Sequence, residues 1–141
     1  MQMLDLATAR KIADTALADG LKRGVAKTTI VVTDASGEIR VALRADAAGA
    51  FGVEIARGKA RTALGFATST IKLAQVFGNS ASATAAVNAA TGNRFVPLGG
   101  GVQIANSEGQ VVGAAAMSGG QPEVDDEVIT AAVRAAGFNV P

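Results

Sequence analysis

Apolar residues at the start of the chain recur with helical spacing. In DLATARKIADTALADGLKRG, Leu6, Ala9, Ala13, Ala16, Leu17 and Leu21 fall on one stripe, which predicts a helix. Asp5 offers an N-cap and Gly24 a C-terminal stop. The period then shortens. Thr29–Thr33 is β-branched, Asp34–Glu38 reads as a turn, and Ile39, Val41 and Leu43 alternate with Arg40, Ala42 and Arg44. That pattern predicts a β-hairpin. Phe51–Ala67 returns to helical spacing. Ser, Thr, Asn and Ala dominate from Thr68 to Asn93, where short helices are expected at Thr70–Val76 and Ser82–Ala90. GGGVQIANSEGQVVGAAAM predicts a second hairpin with its turn at Asn106–Gly109. PEVDDEVITAAVRAAG predicts a final helix with Pro122 in its first turn. No linker or repeat interrupts the pattern, so residues 1–141 are expected to form a single domain. Short loops between paired strands favour an antiparallel sheet with helices packed on it, an α+β class.

Two charges break this pattern. On a wheel turned by about 100° per residue, Glu54, Arg57 and Arg61 cluster on the solvated side of the second helix. Lys59 instead falls among Ile55, Ala63 and Phe66. In the last helix, Val124, Val128, Ile129, Ala131, Ala132, Ala135 and Ala136 make one apolar arc. Glu123, Asp126, Glu127 and Arg134 lie outside it, while Asp125 lies within it. A buried charge is costly unless paired, so Lys59 and Asp125 are candidates for a site. Each has a plainer reading. Lys59 can pack its stem and extend its amine to water. Asp125 can compensate the dipole of its helix.

Composition narrows the chemistry. The chain is 49% hydrophobic and 18% charged, which suits a packed core, and its net charge is +1. No basic block or aromatic platform appears, so nucleic acid is not an expected partner. No apolar run reaches the length of a membrane span or a secretory signal, and a cytoplasmic location is expected. Cys, His, Tyr and Trp are all absent. The commonest general base and most strong transition-metal and haem ligands are therefore missing. Chemistry must come from Asp, Glu, Lys, Arg, Ser, Thr, backbone or a bound ion. Glu123, Asp126 and Glu127 could hold a hard cation weakly, but an acidic helix start explains them, and no metal site is expected. Gly109 is a turn residue. Gly99–Gly101 and Gly119–Gly120 flank the second hairpin, and the latter pair precedes a helix N-terminus, where backbone N–H groups can receive an anion. The spacings of a Walker loop or a dinucleotide fingerprint are missing.

The segments VVTDASGEIRVALRADAA, EIARGKARTALGFATST, PLGGGVQI and GQVVGAAAMSGGQPEVDDEV follow one another in an order that resembles the GlcG/HbpS family. This is the haem-degrading or DUF336 domain, to which the C-terminal domain of PduO-type proteins also belongs. The likeness spans nearly the whole chain, with Ala67–Phe95 its most variable part. It implies a profilin-like antiparallel sheet of about five strands, flanked by helices on both faces. It also implies a homo-oligomer (dimer, tetramer or octamer). It places a ligand pocket near the K-A-R-T-A helix and the S-G-G loop: Lys59, Thr62, Ser118, Gly119, Gly120 and Asp125, with Phe51 and Glu54 at the edge.

The resemblance implies binding of haem or a related tetrapyrrole. Met117 is the one methionine away from the N-terminus and the nearest approach to an axial ligand, though a methionine ending a strand is ordinarily core filler. The second reading is a cofactor-independent enzyme of the isomerase, tautomerase, hydratase or lyase type, acting on a small organic or aromatic-derived acid in catabolism. There Lys59 would hold an anionic oxygen and Asp125 or Glu54 would move a proton. A third reading is an oligomeric structural protein with its odd charges at a subunit interface. The first two require a small-molecule partner.

Overall fold

A computed structural model describes residues 3–141. The chain runs α1 (Leu6–Lys22), β1 (Thr29–Asp34), β2 (Ile39–Arg44), α2 (Gly52–Phe66), α3 (Thr70–Phe77), α4 (Ala81–Ala90), β3 (Gly101–Ala105), β4 (Val111–Ser118) and α5 (Pro122–Ala135). The four strands form one antiparallel sheet in the order β2-β1-β4-β3. Both expected hairpins form, and β1 joins them by pairing with β4. The fold is α+β as expected, with four strands rather than about five. The C-terminal segment comes nearest to a fifth strand, but it makes only the single bridge between Asn139 and Ala105.

Alternation along the strands sorts the core into two layers. Ile30, Val32, Val102, Ile104, Ala115 and Met117 face α1 and α5. Val31, Ala114 and Ala116 face α2, which answers with Ala56 and Ala60. Helices therefore cover both faces. The α2 layer consists of small residues, so the helix lies close to the sheet. A methyl group built on Gly101 would stand 2.5 Å from the Lys59 carbonyl oxygen.

Local details follow the sequence, with shifts in phase. Asp5 caps α1 by accepting from the Thr8 N–H at 2.8 Å. The buried stripe of α1 centres on Ala9, Ile12, Ala13 and Ala16, while Leu6 and Leu21, expected within it, are exposed. On α5, Val133 is buried, whereas Ala131 and Ala135 face solvent. The two short helices of the variable segment are present, but α4 buries none of its residues. No helix among the described residues is long and apolar enough to cross a membrane.

Candidate functional site

Helical phase points Lys59 of α2 inward, and the sheet and α5 supply its partners. Its Nζ donates to the Met117 carbonyl at 2.9 Å and to Asp125 Oδ2 at 3.3 Å. The two side chains are 5% and 1% exposed, which excludes the snorkelling reading of Lys59. Asp125 Oδ1 accepts from the Gly120 N–H at 3.1 Å. Asp125 thus belongs to the first turn of α5, but its carboxylate is turned into the protein.

Gly99, Gly100 and Gly101, the last of them opening β3, make room for this meeting. Gly100 has φ +121°, and a Cβ there would lie 2.9 Å from the Asp125 Cβ and 3.0 Å from Lys59 Nζ. One on Gly99 would press on Ile71 and the Pro122 carbonyl. Gly99–Gly101 let α2, α3 and α5 approach the strand. Gly119 (φ +113°) carries no Cβ because one would collide with the Lys27 carbonyl.

Burial lowers the Lys59 pKa, opposed by the charge of Asp125. Burial likewise raises the Asp125 pKa, opposed by Lys59 and then by the Gly120 N–H. A raised carboxyl pKa contributes stability that is fully present below the ordinary carboxylate range and lost as pH rises through the folded value. A lowered lysine pKa contributes stability that is present above the ordinary lysine range and lost as pH falls through the folded value. The charged pair is therefore least favourable across the neutral range. Compared with Lys59→Met/Asp125→Leu, the wild type should gain relative stability on acidification through the raised Asp125 pKa. Urea midpoints at several pH values measure this. A relative loss on acidification would mean that the partners outweigh burial.

The pair forms part of the wall of an open cavity of about 370 Å³. Phe51, Gly52 and Ile55 at the start of α2 line one side, with Gly119 and Gly120 opposite; Leu98 and Pro122 add apolar surface. Phe51 stands at the rim, 74% exposed. Ser118 also lines the cavity, but its hydroxyl already donates to the Gly52 carbonyl at 2.9 Å. Lys27, which the sequence did not single out, is, among the described residues, the lining charge without an opposite partner there. Its place follows from the β1–β4 register, which sets Thr29 opposite Ser118.

Three expected site residues lie elsewhere. The Met117 side chain is fully buried on the α1/α5 face of the sheet, and only its carbonyl reaches Lys59. Strand alternation places Ala116 on the α2 side and the Met117 side chain on the opposite face. The Thr62 hydroxyl is taken up by backbone, donating to the Arg94 carbonyl at 3.3 Å and accepting from the Val96 N–H at 2.9 Å. Glu54 is exposed and lines a separate shallow recess with Arg57 and Arg61. Of the acids at the start of α5, Glu127 pairs with Arg23 at 2.8 Å. Asp126 is half-buried rather than solvated, and burial raises its pKa. Among the described residues, no cluster of three or more Asp or Glu is placed to hold a metal ion. Three larger recesses, of about 550, 500 and 390 Å³, lie beside Arg61, beside Phe77 and beside Arg44, and among the described residues no buried charged side chain lines any of them.

Solved structures with the same architecture include haem-bound PduOC, at 25% identity and a TM-score of 0.84, covering 99% of this chain and 98% of that one. Klebsiella pneumoniae ORFY, a DUF336 protein, matches at 25% identity and a TM-score of 0.85, covering 97% and 92%. A double mutant of Streptomyces reticuli HbpS matches at 25% identity and a TM-score of 0.79, covering 96% and 88%. No curated protein matches the sequence. The family model described as haem degrading protein HbpS-like matches residues 4–134, and the chain belongs to that family.

Proposed function

We propose that the protein binds a small, flat, largely apolar molecule bearing a carboxylate in the cavity beside Lys59 and Asp125, with haem as the first candidate. The buried ion pair in an apolar cavity wall carries this reading. Cavities of this kind, mostly apolar with a few convergent polar groups, are the usual form of small-molecule sites. Since Lys59 and Asp125 cancel in charge, Lys27 leaves the cavity favouring an anion. The haem held by PduOC, and the family description, support haem within this class. Among the described residues, Lys27 and Lys59 are the side chains with a nitrogen ligand atom in the cavity wall, and the Met117 side chain is turned away into the other core layer. The same reading has the protein acting in the cytoplasm as a homo-oligomer, which light scattering in solution tests.

Titration with hemin, followed at the Soret band, tests the proposal. Saturable binding is expected, weakened roughly tenfold by Phe51→Ala through loss of an aromatic contact and unchanged by Met117→Ala. Absence of saturable binding by both hemin and benzoate would overturn it. The second reading, proton transfer on a small acid, draws on the same pair: a carboxyl with a raised pKa beside an amine is suited to general acid–base work. Turnover of an enolisable acid that is lost in Asp125→Asn would establish it.

A further inference from the structure

We propose that Lys59 is a carbonyl-reactive amine, condensing with the carbonyl carbon of a small 2-oxo acid held in the cavity to form an imine. This rests on the reading of that cavity as the ligand site and names a chemistry for it that neither haem binding nor simple proton transfer requires.

Three observations point the same way. An ammonium group carries three donors, and Lys59 Nζ has two acceptors, the Met117 carbonyl and Asp125 Oδ2. Among the described residues, no third acceptor meets the nitrogen, and the residue lines an open apolar cavity. The carboxylate beside the nitrogen gives a departing proton a place to go. A lysine becomes nucleophilic when it is desolvated in an apolar pocket, and burial acts on Lys59 in that direction. Lys27, at the cavity wall, provides a charge for the carboxylate of an oxo acid.

The step balances without a further reactant. Lys59 passes its ammonium proton to Asp125. The free Nζ lone pair attacks the carbonyl carbon, a C–N bond forms, and the carbonyl π pair moves to oxygen. Asp125 returns its proton to that oxygen, giving a carbinolamine. Asp125 then accepts one of the two protons still on nitrogen and delivers it to the hydroxyl, so the imine forms protonated. The C–O bond breaks, water leaves, and the nitrogen lone pair closes the C=N bond. One amine and one carbonyl have become one imine and one water, with no change of oxidation state.

The test uses the intact chain with glyoxylate or pyruvate and cyanoborohydride at neutral pH, followed by intact mass and peptide mapping. One reduced adduct per chain is expected, located at Lys59, saturating with oxo acid. It should form on the order of tenfold or more faster than adducts at exposed lysines, which lack an apolar pocket to desolvate the amine. Asp125→Asn should slow labelling at Lys59, and Lys27→Ala should raise the oxo-acid concentration at which that labelling saturates. Mapping on the wild type keeps the result independent of whether either variant folds. Labelling spread over exposed lysines, or confined to Lys27, with Lys59 unmodified, would overturn the proposal. If glyoxylate still perturbs the Gly119 and Gly120 amide resonances in that case, only the imine fails. If it perturbs neither, the cavity reading fails for this ligand class as well.

Discussion

Lys59→Met should destabilise the fold by about 3–5 kcal/mol, the usual cost of leaving a buried charge without its partner. The substitution removes the amine that touches Asp125 and the Met117 carbonyl, so the carboxylate keeps only the Gly120 N–H. At 1% exposure, Asp125 has little access to water. Adding Asp125→Leu should return stability to the wild-type level or above, because an apolar pair of similar volume avoids the desolvation of both charges. Urea unfolding reads both changes as midpoint shifts at unchanged slope. A single substitution costing less than about 1 kcal/mol, with nothing recovered in the double variant, would mean that the amine is solvated, as in the snorkelling alternative. The combination matters for function. With both results, the pair costs stability at neutral pH and is not what holds the fold together, which fits a role at the ligand site.

Gly100→Ala should cost about 2–6 kcal/mol, although alanine normally stabilises relative to glycine. Two independent effects add. At φ +121° the backbone lies where a side chain is strained, typically by about 1–3 kcal/mol. The new methyl would also stand 2.6 Å from the Met117 carbonyl oxygen and 2.9 Å from the Asp125 Cβ. Overpacking of that kind costs about 1–3 kcal/mol more. The methyl would further press on Lys59 Nζ, so the same substitution should weaken ligand binding in whatever fraction still folds. Thermal unfolding checks the first effect and hemin titration the second. By contrast, Gly24→Ala meets nothing within 4 Å and carries only the strain of φ +85°. A Gly100→Ala loss no larger than that of Gly24→Ala would contradict the packing argument.

The sequence showed Lys59 and Asp125 out of phase with their charged neighbours, because helical periodicity alone decides which way a side chain points. It could not show that they meet. Their contact depends on β3 and β4 pairing in one register and on α2 and α5 approaching from different layers, which are relations between distant segments. The same gap explains the glycines. Gly99–Gly101 stand out in the sequence only as a run of glycines, whereas in the structure their close neighbours are α2, α3 and α5. Met117 was misplaced for a local reason, since the count along β4 that sends Ala116 towards α2 sends Met117 to the other face. Lys27 went unnoticed because an exposed lysine in a loop carries no sequence signal; only the β1–β4 pairing brings it to Gly119. In α1, Leu6 and Leu21 belong to the apolar pattern but overrun the sheet, so the stripe buries only its middle.

The central claim is that a carboxylate-bearing ligand occupies the cavity between the first turn of α2 and the loop before α5. Amide chemical-shift mapping on the isotope-labelled chain, titrated with benzoate, tests it most directly. The account predicts saturable shifts concentrated at Gly52, Gly119 and Gly120. Shifts gathered instead at Gly37, Gly65 and Thr91, beside Arg61, or a spectrum that never saturates, would contradict it.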